Sequence, residues 1–225
     1  MARKLKPASQ PASQPCHQRP LAIDLFCGLG GWTEGLLAEG FDVVGFDRER
    51  HVYGDQKYPA QLVLQDVLTI HGSQFKNAAL IVASPPCQEY SYMAMPWSRA
   101  KQIEREYLNG TRDVRQLTAL FDACFRIQRE AIAAAGRHVP IVVENVRGAQ
   151  KWVGRSRWNY GSFHLWGDVP ALMPMGFAQK SYGWFKPGKE IDARSRYDGS
   201  RKSGSAIIAK IPFPLSRHIA RTFRP

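Results

Sequence analysis

A short apolar run ends in a glycine cluster, and a helix begins at once. Leu21-Ala22-Ile23-Asp24-Leu25-Phe26 is followed by Cys27-Gly28-Leu29-Gly30-Gly31 and then by Trp32 and a stretch reaching Glu39. Few folds accept that order. The run reads as a first strand, the glycines make a tight turn, and the helix closes at Gly40. Strand, glycine turn and helix form a general nucleotide-binding device, in which the helix start offers free N–H groups. The spacing is not Gly-x-Gly-x-x-Gly, and no Gly-Lys-Ser/Thr for a triphosphate is present.

The unit repeats in outline. Residues 41–46 read as a second strand ending at Asp47, 61–64 as a third followed by Asp66, and 80–83 as a fourth. Leu117, Leu120, Phe121, Cys124, Ile127 and Ile132 set a helical period over 114–135, closed by Gly136. Residues 141–143 form a fifth strand after Pro140, and 215–223 a last helix. This alternation predicts an α/β fold with a doubly wound, mainly parallel sheet. A chain of 225 residues holds one such domain and little more. No run approaches ~18 apolar residues, so no membrane span is expected. Residues 1–19 start basic, lack an apolar core and repeat Pro-Ala-Ser-Gln. They read as a disordered leader, and the cytoplasm is the default location.

Leu80-Ile81-Val82-Ala83 delivers Pro85-Pro86-Cys87-Gln88 to the carboxyl edge of the sheet. The prolines stop the strand and stiffen the turn that presents the thiol. A thiolate held there is a nucleophile. The other cysteines, Cys16, Cys27 and Cys124, are scattered, with no disulfide or zinc spacing. Asp24, Asp47 and Asp66 fall at successive strand ends. Asp47 stands where a carboxylate accepts both ribose hydroxyls, and Asp66 where one accepts from an adenine amino group. The bland reading is that such residues cap strand ends and turns. The pattern alone does not separate NAD from S-adenosylmethionine.

The formal net charge is +12. Residues 21–150 hold 13 basic and 15 acidic side chains, whereas residues 151–225 hold 14 and 4. Aromatics such as Trp152, Trp158, Tyr160, Trp166 and Trp184 lie among those charges. The mixture suits stacking and phosphate contact.

Taken in order, Asp24-Leu25-Phe26-Cys27-Gly28-Leu29-Gly30-Gly31, then Pro85-Pro86-Cys87-Gln88 with Ser91, then Glu144-Asn145-Val146 resemble the motifs of the C5-cytosine DNA methyltransferases. The chain looks most like the short phage and prophage members. The resemblance implies the Rossmann-like fold of S-adenosylmethionine-dependent methyltransferases with a reduced C-terminal recognition subdomain. It divides the chain into a catalytic and cofactor domain at 20–165, a recognition region at 166–205, and a C-terminal helical segment at 206–225 that packs back. It implies S-adenosylmethionine as donor. Phe26 would lie against the adenine and the backbone of Gly28, Leu29, Gly30 and Gly31 would hold the methionine part. Asp47 would take the ribose and Asp66 the amino group, Pro86 would sit near the methyl, and Asp24, Arg48 and Val67 would complete the site.

By the same resemblance Cys87 adds to C6 of a cytosine flipped out of the stack. Protonated Glu144 donates to N3, and Arg157 contacts O2. Gln88, Ser91, Asn145 and Arg155 face the target base or DNA, with Asn145 more suited to holding its turn than to reacting. Residues 88–112, with Met93, Met95 and Trp97, would form a mobile loop. Double-stranded DNA is the implied partner, for a monomer or with a partner subunit. The chain departs from the family pattern in three places. Val153 stands where a glutamine precedes the arginine pair, Ala209-Lys210-Ile211-Pro212 replaces a Gly-Asn-x-Val segment that returns to the cofactor, and residues 158–205 are short for a region that reads bases. Methylation of RNA, a DNA-binding remnant without turnover and, as a weak fourth, a nicotinamide oxidoreductase remain the alternatives.

Overall fold

A computed structural model describes residues 18–88, 90, 97–173 and 209–225. The leader up to residue 17, Ser91, Met93, Met95 and residues 174–205 of the expected recognition region lie outside the described residues. Seven strands form one sheet in the order β5-β2-β1-β6-β7-β9-β8. They are β1 (Leu21–Leu25), β2 (Asp42–Asp47), β5 (Gln61–Leu64), β6 (Leu80–Ala83), β7 (Ile141–Asn145), β8 (Trp158–Tyr160) and β9 (Phe163–Gly167). Pairing is parallel from β5 to β7, and β9 runs antiparallel to both β7 and β8. Two-residue strands β3 (Val52–Tyr53) and β4 (Gln56–Lys57) pair by themselves. The α/β, mainly parallel architecture is the one expected.

Helices cover both faces, which is why β6 at the centre is apolar throughout. Leu80 and Val82 face α1 (Gly31–Ala38) and α5 (Phe213–Phe223), packing with Trp32, Leu36, Leu215 and Ile219. Ile81 and Ala83 face α3 (Val114–Ala135), packing with Phe121, Cys124 and Ile127. The long helix starts where Asp113 accepts from the Arg115 amide and stops at Gly136 in the left-handed region, φ 65°. α5 is fastened to α1 by Glu39, which accepts from Arg217 at 2.6 Å and from Arg221 at 3.1 Å. These two guanidinium groups hold the Glu39 carboxyl below its ordinary pKa.

Three expectations change. Residues 97–108 are not part of a loop. They form α2 (Trp97–Leu108), whose Ala100, Ile103 and Tyr107 are buried at helical spacing. β7 runs two residues further than 143, because Glu144 and Asn145 pair with Leu165 and His164 of β9. The stretch after Arg157 is an antiparallel hairpin up to Gly167, with a one-turn helix α4 (Gln150–Val153) before it. Among the described residues no helix is long and apolar enough to cross a membrane.

Candidate active site

The strand order reverses between β1 and β6. In open α/β sheets the crevice outside the carboxyl ends at that reversal is where ligands bind. The turns leaving these two strands carry the glycine cluster and Cys87. Beside them lies a cavity of about 560 Å³, lined by Phe26, Gly28, Leu29, Gly31, Asp47, Arg48, Pro86 and Gln88 from the sequence-predicted set. The size suits a small-molecule cofactor.

The first turn is held by Asp47. Its Oδ2 accepts from the Gly28 amide at 2.9 Å and its Oδ1 from the Arg48 amide at 2.8 Å. The His51 ring stands 3.5 Å from the same carboxylate. Phe26 has φ 58°, the one positive value at a non-glycine among the described residues. That is stored backbone strain at the cavity wall.

Several candidates stand elsewhere. Asp24 is 1% exposed and lies outside the cavity lining. Its Oδ2 accepts from Thr33 at 2.6 Å, and Thr33 Oγ1 lies 2.7 Å from the Tyr58 hydroxyl. Burial pushes the Asp24 carboxyl up to about 8, helped by the nearby charge of Asp47. It is a buried acid beneath the turn, enclosed by Thr33 and set back from the cavity wall. Gly30 faces Tyr58 and Pro59 rather than the cavity. Val67 is buried at 1%. Asp66 caps a short 3₁₀ turn, accepting from the Leu68 amide at 2.9 Å, and lies 3.7 Å from Arg48 at the cavity margin.

The Cys87 turn is tied down from four sides. Ser84 Oγ accepts from Trp32 Nε1 at 3.0 Å, and the Ser84 amide donates to Leu25 O at 3.2 Å. Pro85 O accepts from Asn145 Nδ2 at 2.9 Å, and Cys87 O accepts from the Tyr90 amide at 3.0 Å. Of the three cysteines described, Cys27 and Cys124 are buried, and burial drives both thiols far above their ordinary pKa. Cys87 is the partly exposed one. Glu144 is 8% exposed in β7. It stands one step beyond Ala83↔Val143, the last register pair of β6 and β7, and so level with Ser84. Asn145 is 1% exposed with its Oδ1 accepting from the Val146 amide at 2.8 Å. Both ends of its amide are thus engaged by backbone, with Nδ2 on Pro85 O and Oδ1 on the Val146 amide.

Arg155 and Arg157 do not join this cavity. Both are exposed at the outer edge of the sheet and line a second cavity with Arg147. The Arg157 amide donates to Leu165 O, so β9 separates its backbone from Glu144. Arg157 thus stands on the wall of the second cavity and not of the first.

Sequence reasoning missed Trp32, Glu49, His51, Ser84 and Leu120 in the first cavity, and it set Ala209, Lys210 and Ile211 against the family's returning segment without assigning them to the site they line. The C-terminal segment arrives through Lys210, whose Nζ donates to Glu34 Oε1 at 2.5 Å. A Cβ on Gly31 would collide with the Ile211 backbone, so glycine there permits the approach.

A family model described as C-5 cytosine-specific DNA methylase matches residues 21–152. This chain belongs to that family. Within the C-5 cytosine-specific DNA methylases, the Type II methylase M.HgiDII of Herpetosiphon aurantiacus is 32% identical over 79 residues. The match covers 31% of this chain and 22% of that protein, so this chain spans about a fifth of the relative's length. Among solved structures, a methyltransferase assigned to DNA modification in an E. coli prophage is 22% identical, with TM-score 0.36, over 60% of this chain and 35% of that one. The S. pombe Dnmt2 methyltransferase is 16% identical, with TM-score 0.37, over 60% and 37%.

Proposed function

We propose that this chain transfers a methyl group from S-adenosylmethionine to C5 of a cytosine in DNA. The observation that carries the reading is the partly exposed Cys87, held on a pinned turn beside the switch-point cavity in a chain of this family. The cavity fits the donor. Asp47 and Glu49 on its wall stand beside Arg48 and Lys210, a balanced set that suits a donor carrying a carboxylate as well as ammonium and sulfonium groups. Phe26 and Leu29 offer apolar contact for a purine, Asp47 an acceptor for ribose, and the Gly31 to Ile211 approach closes one side. When bound, S-adenosylmethionine supplies an electrophilic methyl group.

The chain's own residues prepare the base. The Cys87 thiolate forms a bond to C6 of the cytosine, and the displaced electron pair moves toward C5 and N3. Glu144 in its acid form holds a proton for N3. C5, now nucleophilic, would accept the methyl the donor supplies, the broken C–S bonding pair staying on the sulfur of S-adenosylhomocysteine. Water then takes the C5 proton, its C–H pair re-forms the C5–C6 double bond as Cys87 departs with its bonding pair, and N3 returns its proton to Glu144. Asn145 holds Pro85, and Trp32 holds Ser84, so the thiol is aimed before substrate arrives. A base inside a duplex is out of reach, so the cytosine leaves the stack. The reading places the protein with duplex DNA, in the cytoplasm of a bacterium or a phage-infected cell.

Duplex DNA incubated with protein and donor is expected to yield 5-methylcytosine by mass spectrometry. DNA carrying 5-fluorocytosine is expected to give a denaturant-resistant adduct, because fluorine at C5 blocks release. A yield equal to that of Cys87→Ala, with donor binding intact, would sink the reading. Methylation of tRNA in place of DNA would redirect it to RNA.

A further inference from the structure

Cys87 lies between two fixed points. Ahead of it, Ser84 Oγ accepts from Trp32 and Pro85 O accepts from Asn145. Behind it stands Tyr90, a buried residue in a stretch expected to be a mobile loop. The Tyr90 amide donates to Cys87 O at 3.0 Å, the bond that closes a tight turn. At the far end of the ring, the Tyr90 hydroxyl donates to Leu117 O at 2.7 Å, a buried bond across 27 positions of sequence. Leu117 lies in the first turn of α3. A carbonyl there keeps a second lone pair beside the one that faces the helix amide four residues on, so the tyrosine adds to the ladder without breaking it.

The Tyr90 backbone is approached as closely. A Cβ on Gly148 would collide with the Tyr90 carbonyl oxygen, so glycine there lets the segment after β7 lie against it. That segment follows Glu144 and Asn145. The ring belongs to the core cluster that holds Leu117, Phe121 and Ala149. Phenylalanine would serve such a cluster equally well, and a buried hydroxyl costs free energy unless it is bonded. The hydroxyl therefore adds direction to the packing. It points the turn at α3, and Leu120 of the same helix lines the first cavity. The thiol and the cavity take their spacing from one element. In a bond-forming step a misplacement of about 1 Å can cost roughly a hundredfold in rate.

We infer that Tyr90 is a positioning residue for methyl transfer: its hydroxyl, bonded to Leu117, sets where Cys87 stands relative to the donor cavity. The inference rests on the methyltransferase reading for the reaction it serves. Tyr90→Phe keeps the ring and removes the donor. The full chain and this variant are compared in steady-state methylation of duplex DNA, in adduct formation with 5-fluorocytosine DNA, and in alkylation of the free protein by iodoacetamide, read at each cysteine by peptide mass spectrometry. The loss of one buried hydrogen bond is expected to lower kcat and the adduct rate about tenfold, with KM for donor and for DNA within about twofold. Cys87 should alkylate faster in the variant, while the buried Cys27 and Cys124 stay protected. A wild-type kcat in the variant overturns the inference, and so does a loss confined to KM or to the melting temperature. If the wild type forms no 5-methylcytosine, alkylation decides. A changed Cys87 rate then sinks the methyltransferase reading alone and leaves Tyr90 as the tie that places the thiol, whereas an unchanged rate sinks both.

Discussion

Asn145 holds the carbonyl of Pro85: its Nδ2 donates to that oxygen at 2.9 Å across 60 residues of sequence. The bond ties the end of β7 to the turn after β6. Proline has no N–H, so nothing within the Pro85-Pro86 step could fasten the turn in a ladder. Asn145→Ala leaves the Pro85 carbonyl without that donor, at a cost of about 1–3 kcal/mol. Thermal denaturation should show the loss, and adduct formation with 5-fluorocytosine DNA should slow while Cys87 remains in place. An adduct rate equal to that of the wild type would show that the turn is aimed by other contacts.

Gly31→Ala is expected to weaken donor binding, because its Cβ meets the backbone of Ile211 and not a flexible side chain. The C-terminal segment must then move off the cavity. Calorimetric titration with S-adenosylhomocysteine reads the change directly. Gly28→Ala makes the contrast for the folded protein, since a Cβ there meets no protein atom within 4 Å and its cost to folding comes from φ 50°.

Asp47→Ala removes the acceptor of two backbone amides and the ribose acceptor of the proposed site. Hydrogen bonds to a charged group contribute about 1.5–3 kcal/mol each, so donor affinity should fall about tenfold or more. Asp66→Ala, at the margin, should cost less. Equal losses in the two variants would place Asp66 in the site.

Asp24 makes stability depend on pH. Its carboxyl ionises near the ordinary 3.8 in the unfolded chain and at about 8 when folded. Between those values the unfolded chain has released a proton that the folded chain keeps. Stability therefore falls as pH rises through that window, and levels above about 8. Asp24→Asn removes the term. Its melting temperature, relative to wild type, should rise from pH 5 to pH 8. A constant difference would show that Asp24 ionises normally.

Elements with strong local signals matched their sequence reading. β5 and β6 fall on 61–64 and 80–83, and α3 on 114–135, where Asp113 caps one end and Gly136 the other. α2 was missed although Ala100, Ile103 and Tyr107 have helical spacing, because charged residues surround them. β7 was read short because its last two residues become strand only by pairing with β9.

The order of strands and helices, the glycine turn, and a cysteine set after an apolar strand are legible along the chain. Capping, periodicity and proline chemistry act over a few residues, so sequence carries them directly. Burial and proximity do not work that way. Asp24 and Asp47 sit on similar strands, yet packing encloses one beneath Thr33 and leaves the other on the cavity wall. Lys210 reaches Glu34 across 176 residues, and Arg157 stands a strand away from Glu144 although only thirteen positions follow it. Desolvation and contact depend on what the rest of the chain brings alongside, and that is settled only when the sheet and its helices close.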